Sequence, residues 1–489
     1  MHFVKKVPTT EEEAAEKARI TDAKKKAFIA MRDAIFSKRG IDGEEQSQLE
    51  QTGTMLSKNP DIYTLWNIRR AAIESLEKKL NEENVEEAAE KITKLLEEEL
   101  SLTQKCLREN PKSYAAWHQR SWVLDRHPAP KIEADLKLCS MALQMDCRNF
   151  HTWDHRRYLA ALAKLPLDEE IEFSNKVIEE NFSNFSAWHY RGILLKKRYQ
   201  NQQYLDEDTV SSEFKKVITA CCTDPNDQSG WTYSRFLLDH VRLENDYQTE
   251  ACEVVAAALN NNGAVVSFRS GVTKECAAQW VSADKGAVWT PITTLPTKRI
   301  ISSKIWRIET NNLAIVKPDV EKVVVTEGHP YVDRKYLEHY FYRKDNGKLD
   351  FLDEYTPEIE QILAEEEKPC PVGLYSLTAY MIRTTPRSST ERILANLEEL
   401  ARVDPQRKNF YLSIRDRHVV GDRFAAIPPG STKDAFEEFL TSGVLHLNEL
   451  QLTSLDFLWP LAPLVKKLDV EKSEIKRSLD AKALFPLIE

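Results

Sequence analysis

Apolar positions in the first half of the chain recur at steps of three and four residues. Ile132, Leu136, Cys139 and Leu143 predict a helix over 131–146, Phe173, Val177 and Ile178 one over 171–181, and Phe214, Val217 and Ile218 one over 213–222. Residues 82–99 read as a helix with solvated acids. Residues 10–37 read as one or two charged helices with sparse apolar positions at Ile20, Phe28, Met31 and Ile35. Near residue 252 the period changes. Runs rich in Val, Ile, Thr and Trp at 264–268, 279–281, 287–289, 304–308 and 321–325 predict short strands, with turns at 260–263, 284–286 and 311–312. Helical spacing returns after Pro357. Ser388 and Glu391 predict a capping box opening a helix over 391–403, and a further helix starts over 431–440. Leu445 and Leu468 then stand 23 residues apart, within the range of leucine-rich repeats.

Between these helices a second pattern recurs. Its clearest copy is Asn-Pro-Lys-Ser-Tyr-Ala-Ala-Trp-His-Gln-Arg at 110–120, with relatives at 59–69, 149–156, 184–191 and, more loosely, 224–231. The tryptophans fall at 66, 117, 153, 188 and 231, steps of 51, 36, 35 and 43. A base period near 35 with insertions predicts stacked helix pairs. Trp66 with Arg69, Trp117 with Arg120, Trp153 with Arg156, Trp188 with Arg191, and Trp231 alone read as the structural frame; after Trp231 the arginine slips to Arg235. Each tryptophan would lock a hairpin to its neighbour, and each arginine would bond carbonyls or acids of the next layer. In this reading Asn110 caps a helix, Pro111 holds its first position and Lys112 lies in its first turn, where free N–H groups favour an anion. Tyr114, Trp117 and Ser121 would share one face.

A hairpin cannot bury its apolar face alone, so the array should curl. The fold class predicted is mainly α, a crescent-shaped α–α superhelix of helical hairpin repeats. It carries a small Ig-like β-sandwich insert and short leucine-rich repeats. The expected domains are 1–250 for the helical repeats, 252–345 for the sandwich, 346–443 for returning helices and 444–489 for partial leucine-rich repeats.

Composition narrows the function. The 489 residues are 42% hydrophobic with a net charge of −9, enough apolar material for sizeable cores and no basic excess for nucleic acid. Residues 1–19 lack the apolar stretch of a signal peptide, no run approaches the ~20 apolar residues of a membrane helix, and the chain's last four residues, Pro-Leu-Ile-Glu, offer no cysteine for prenylation. Cysteines 106, 139, 147, 221, 222, 252, 276 and 370 form no Cys-x-x-Cys pair and no zinc spacing, which reads as reduced thiols in a cytoplasmic protein. A metal needed for function must then come from elsewhere. His2, behind the initiator Met, is either a solvated terminal residue or a speculative ligand carried by a flexible arm to a partner's metal.

The repeated motif, read with the later sandwich and leucine-rich stretch, resembles the α subunits of protein prenyltransferases, and more narrowly those of Rab geranylgeranyltransferases. The helical part, about 1–245, carries most of the likeness. The resemblance implies a heterodimer in which a partner β subunit holds zinc and binds geranylgeranyl diphosphate. Geranylgeranyl is transferred to C-terminal cysteines of a Rab GTPase that is bound to Rab escort protein. Zinc would hold the cysteine as thiolate, and positive charge would meet the departing diphosphate.

Lys112 matches the family lysine that points toward the diphosphate, and Tyr114 a family tyrosine beside it; both are the catalytic candidates implied. Tyr114 has the further reading of a repeat-core aromatic, since Tyr63 holds the same slot. Phe150 has no hydroxyl and takes no polar role. His151 is the substrate-binding candidate, facing the diphosphate or closing a hydrogen-bond network. Lys112 reads as unique to its copy, with Asp61 at the matching place of the first and no basic equivalent in the others. The competing function class is a non-catalytic tetratricopeptide-like scaffold, weakened because the copies centre on Trp-x-x-Arg.

Overall fold

The computed structural model of the chain describes residues 10–83, 85–200, 202, 204–242, 253–292, 302–316, 322–341, 345, 350–366, 370–427, 432–470 and 484–485. It divides into two compact units, Met1–Leu194 and Leu195–Glu489.

The first unit is helical. It holds α1 (Glu11–Lys38), α2 (Glu45–Leu56), α3 (Tyr63–Glu83), α4 (Val85–Glu109), α5 (Tyr114–Arg126), α6 (Ile132–Met145), α7 (Phe150–Leu162), α8 (Leu167–Glu180) and α9 (Phe185–Arg198), whose last turn belongs to the second unit. Trp66, Trp117, Trp153 and Trp188 lie buried in α3, α5, α7 and α9. Each motif arginine is buried too and joins its helix to its neighbours. Arg69 pairs with Glu99 on α4, Arg120 with Asp135 on α6, and Arg156 with Glu170 on α8. The next signature helix supplies a second donor to two of these acids: Gln119 Nε2 to Glu99 at 2.9 Å and Tyr190 Oη to Glu170 at 2.6 Å. On its other side Arg120 donates to Leu100 O and Thr103 Oγ1, each at 2.9 Å. Arg191 does the same to Ile171 O at 3.0 Å and Ser174 Oγ at 3.1 Å. A guanidinium can be buried here because its donors meet a carboxylate, a carbonyl and a hydroxyl set by the repeat.

The second unit opens with α10 (Glu207–Thr223) and α11 (Gln228–Asp239), which buries Trp231. Then come β1 (Val254–Asn260), β2 (Gly263–Val272), α12 (Lys274–Trp280), β3 (Val281–Ala283), β4 (Val288–Ile292), β5 (Ser303–Glu309), β6 (Leu313–Ile315), β7 (Val323–Val325) and β8 (Tyr331–Val332). They form a five-stranded sheet, ordered β4-β5-β2-β1-β8, and a three-stranded sheet, ordered β3-β6-β7, with antiparallel pairing throughout. Val266, Phe268, Trp306 and Ile308 pack toward Val281, Leu313, Ile315 and Val325, filling the sandwich. The alternate residues Val265 and Ile305 join a second core on the other face of the large sheet. Burial on both faces explains the unbroken apolar run Ala264-Val265-Val266. The expected strand at 279–281 is corrected: Gln279 and Trp280 end α12, which Thr273 caps, and only Val281 enters a strand.

Helices return as α13 (Arg334–Phe341), α14 (Asp350–Glu365), α15 (Pro371–Thr384), α16 (Thr390–Val403), α17 (Lys408–Ala425) and α18 (Ala435–Ser442). They resume before Pro357, which lies inside α14. The Ser388–Glu391 capping box does not form. α16 starts after Ser389 with no side-chain cap, and the Ser388 N–H goes to the Asp345 carboxylate. The last helix is capped by Asp434, and Ser431 lies outside the described residues. α15 docks on α11, Cys370 Sγ donating to Pro225 O at 2.9 Å and Ser376 Oγ to Trp231 O at 3.2 Å. Before α17 the Asp404-Pro405 loop echoes Asp224-Pro225. Tyr411, buried at the tryptophan's place, donates to Asp404 at 2.9 Å. Finally β9 (Val444–His446) and β10 (Lys467–Asp469) pair in parallel, Leu445 beside Leu468, around a 3-10 helix at Asp456–Leu461. This short leucine-rich portion shares its core with α13, α17, α18 and the large sheet.

Candidate functional site

The loops that lead into the signature helices share one construction. An Asn or Asp side chain accepts the N–H two residues on: Asn59 from Asp61, Asn110 from Lys112, Asp146 from Arg148, Asn181 from Ser183 and Asp224 from Asn226, all at 3.0–3.2 Å. The residue after it turns its carbonyl to the indole N–H of the tryptophan six residues later: Pro60, Pro111, Cys147, Phe182 and Pro225, all at 2.7–3.0 Å. Helix caps follow at Ser113, Asn149, Asn184 and Asp227.

This register corrects two expectations. Asn110, Pro111 and Lys112 are a turn outside the helix: α5 is capped by Ser113, whose Oγ accepts the Ala116 N–H, so Lys112 is not in a helical first turn. Asn149 and Asn184 are caps rather than equivalents of Asn110, and their loops are led by Asp146 and Asn181. The counterpart of Lys112 in the third copy is therefore Arg148, so Lys112 is not the one basic residue of its position.

The first three loops are pinned side by side. Asn110 Nδ2 donates to Asp61 at 2.9 Å, Ser113 Oγ to Pro60 O at 3.4 Å and Asn149 Nδ2 to Pro111 O at 3.0 Å. Lys112 stands on this edge with 67% of its side chain exposed, its Nζ 3.1 Å from Asp146 Oδ2. Tyr114 opens α5 with 60% exposure, so it is not a core aromatic. Its ring meets that of His151 edge-on at 4.1 Å, and Phe150 lies 5.9 Å away. His151 is buried, with its backbone N–H on Asn149. Burial pushes its imidazole below the usual histidine pKa, the Lys112 charge adds to that fall, and Asp154 opposes it. That shift favours the neutral imidazole.

Tyr63, Tyr114, Phe150 and Phe185 are exposed by 60, 60, 51 and 46% at the first residue of α3, α5, α7 and α9. An aromatic stands three places before the first four motif tryptophans, and the core reading of Tyr114 is corrected by its exposure. The motif tryptophans and arginines serve the frame already described. His2 lies outside the described residues.

Among the described residues no group of three or more His, Cys, Asp or Glu could hold a metal ion. Burial pushes the Cys106 and Cys139 thiols up to about 12, which keeps them protonated and unreactive. No helix among the described residues is long and apolar enough to cross a membrane.

Four segments, 96–127, 132–162, 167–198 and 210–241, match the protein prenyltransferase alpha subunit repeat. The chain is 41% identical over 267 residues to the geranylgeranyl transferase type-2 subunit alpha of Bos taurus, covering 52% of this chain and 46% of that one. It is 30% identical over 248 residues to the protein of the same name in Saccharomyces cerevisiae, covering 49% and 72%. It spans about half the length of the mammalian relatives it matches. A solved Candida albicans protein geranylgeranyltransferase-I complexed with GGPP aligns with a TM-score of 0.44 at 14% identity, covering 79% of this chain and 89% of that one, a likeness too weak to carry an argument.

Proposed function

The chain belongs to the protein prenyltransferase α-subunit family, and from that premise we propose that it is the α subunit of a heterodimeric type-2 geranylgeranyltransferase. Its partner is a prenyltransferase β subunit that binds geranylgeranyl diphosphate and holds zinc. The acceptors are C-terminal cysteines of Rab GTPases presented by an escort protein, in the cytoplasm. Zinc on the partner supplies a cysteine thiolate at neutral pH. A sulfur–C1 bond forms as the bond from C1 to the diphosphate oxygen breaks, and negative charge gathers on the departing diphosphate.

This chain meets that charge. Lys112 brings an ammonium on an exposed stem, able to follow charge as it develops. The Tyr114 hydroxyl donates a hydrogen bond from the same edge. His151, neutral and braced by Tyr114, offers a ring N–H to the anion without taking a proton from the thiol. The observation that supports this reading is one lysine beside a Tyr–His ring pair, carried by the first two segments that match the family repeat. The relatives' names favour it over the tetratricopeptide-like scaffold.

Co-expression with a prenyltransferase β subunit, followed by transfer of labelled geranylgeranyl to Rab with escort protein, tests it. A stable dimer with transfer activity is expected. Lys112→Ala should lower kcat about 100-fold or more while lipid and protein affinity change little. A chain that never joins a β subunit, or a kcat unchanged by Lys112→Ala, overturns the proposal.

A further inference from the structure

The Asp146 carboxylate has two partners. Its Oδ1 accepts the Arg148 N–H at 3.1 Å and shapes its own loop, while its Oδ2 lies 3.1 Å from Lys112 Nζ on the neighbouring loop. The first contact needs no charge: Asn59, Asn110 and Asn181 make the same turn with a neutral amide. The negative charge at 146 therefore adds nothing to the turn and acts on Lys112. Asp146 is half-buried and its loop is pinned, through the Asn149 amide, to the loop that carries Lys112. The carboxylate cannot drift away, whereas the lysine can swing on its flexible stem.

We propose that Asp146 is a positioning residue, an internal counter-ion that holds Lys112 and competes with diphosphate for its ammonium. This rests on the reading of Lys112 given above. While Lys112 sits on Asp146 it is withheld from the anion, which lowers apparent affinity in proportion to the fraction withheld. When the C1–oxygen bond has broken, Asp146 can take the ammonium back, which eases release of the product diphosphate.

Asp146→Asn tests this, because asparagine makes the same turn in three sister loops. The measurement is the inhibition constant of inorganic diphosphate for the assembled dimer, in wild type, Asp146→Asn, Lys112→Ala and the double variant. Asp146→Asn should tighten inhibition about two- to fivefold, the size of an exposed ion pair, and that gain should vanish when Lys112 is alanine. A merely structural Asp146 would weaken binding or leave it alone. If Lys112→Ala weakens inhibition but Asp146→Asn leaves it unchanged or weaker, the counter-ion role is overturned and the reading of Lys112 stands. If Lys112→Ala itself has no effect on inhibition, Lys112 does not hold free diphosphate and the inference is overturned, whereas the reading of Lys112 falls only if its kcat is unchanged as well.

Discussion

Arg156 and Glu170 meet through two parallel hydrogen bonds, Nε to Oε2 at 3.0 Å and Nη2 to Oε1 at 2.6 Å, with both side chains buried. The pair joins α7 to α8, and Tyr190 of α9 adds its hydroxyl to the same carboxylate. Three helices therefore depend on one acid.

Glu170→Gln should destabilise the chain by about 3–5 kcal/mol, since it leaves a buried guanidinium without its counter-charge. Replacing both partners, Arg156→Met with Glu170→Leu, should cost less than the single change, because no charge is then stranded. Denaturant unfolding of the three variants measures the difference. A single change costing under about 1 kcal/mol would contradict a buried linkage of three helices.

Trp117→Phe keeps an aromatic ring in place but removes the indole N–H that donates to Pro111 O at 2.8 Å. The expected loss is about 1 kcal/mol, moderated because Asn149 Nδ2 still donates to that carbonyl. Trp117→Ala should cost about 3–5 kcal/mol through the cavity it leaves. Because the same loop carries Lys112, hydrogen exchange at the Lys112 amide should rise in both variants. Unchanged exchange there would show that the indole bond does not hold the loop.

His151 should titrate below the ordinary histidine value of about 6.5, since burial lowers its pKa and Lys112 lowers it further. Lys112→Ala should raise that pKa, and Asp154→Asn, which removes the opposing charge, should lower it. Stability linked to His151 is fully present above the unfolded value and is lost as pH falls through the depressed folded value, because the unfolded chain binds the proton first. Imidazole NMR titrations of the three proteins decide this, and identical pKa values would refute the coupling.

Gly263 has a φ of +110°, and a Cβ there would stand 2.6 Å from the Ile308 carbonyl oxygen. Gly263→Ala should therefore destabilise the sandwich by about 2 kcal/mol or more, from a strained backbone and a contact with β5 that cannot yield. Thermal unfolding followed by near-UV dichroism of Trp289 and Trp306 reports it. A variant as stable as wild type would mean that the hairpin shifts freely.

The sequence made much of this readable. A tryptophan with an arginine three places on is a strong signal because both are buried for different reasons, one by size and one by a carboxylate waiting on the next helix. The change of period near 252 marked the sandwich, although β1, β6 and β8 escaped notice, being short or built of small residues. The loop register was misread at Asn149 and Asn184 because asparagine suits both an Asx turn and a helix cap, and local sequence does not separate the two uses. Tyr114 admitted both a site and a core reading for a similar reason: an aromatic on a helix satisfies a core or a surface equally until its neighbours are known.

What the sequence determined by itself was the repeat and the family it points to, because helical period and the Trp-x-x-Arg spacing are both set along the chain. What only the tertiary structure decided was which groups meet across neighbouring loops. Lys112 faces Asp146, Tyr114 faces His151, and the second cation of the edge is Arg148. Those pairings arise from how one hairpin stacks on the next, and stacking distance is written into the packed core rather than into any single stretch of residues.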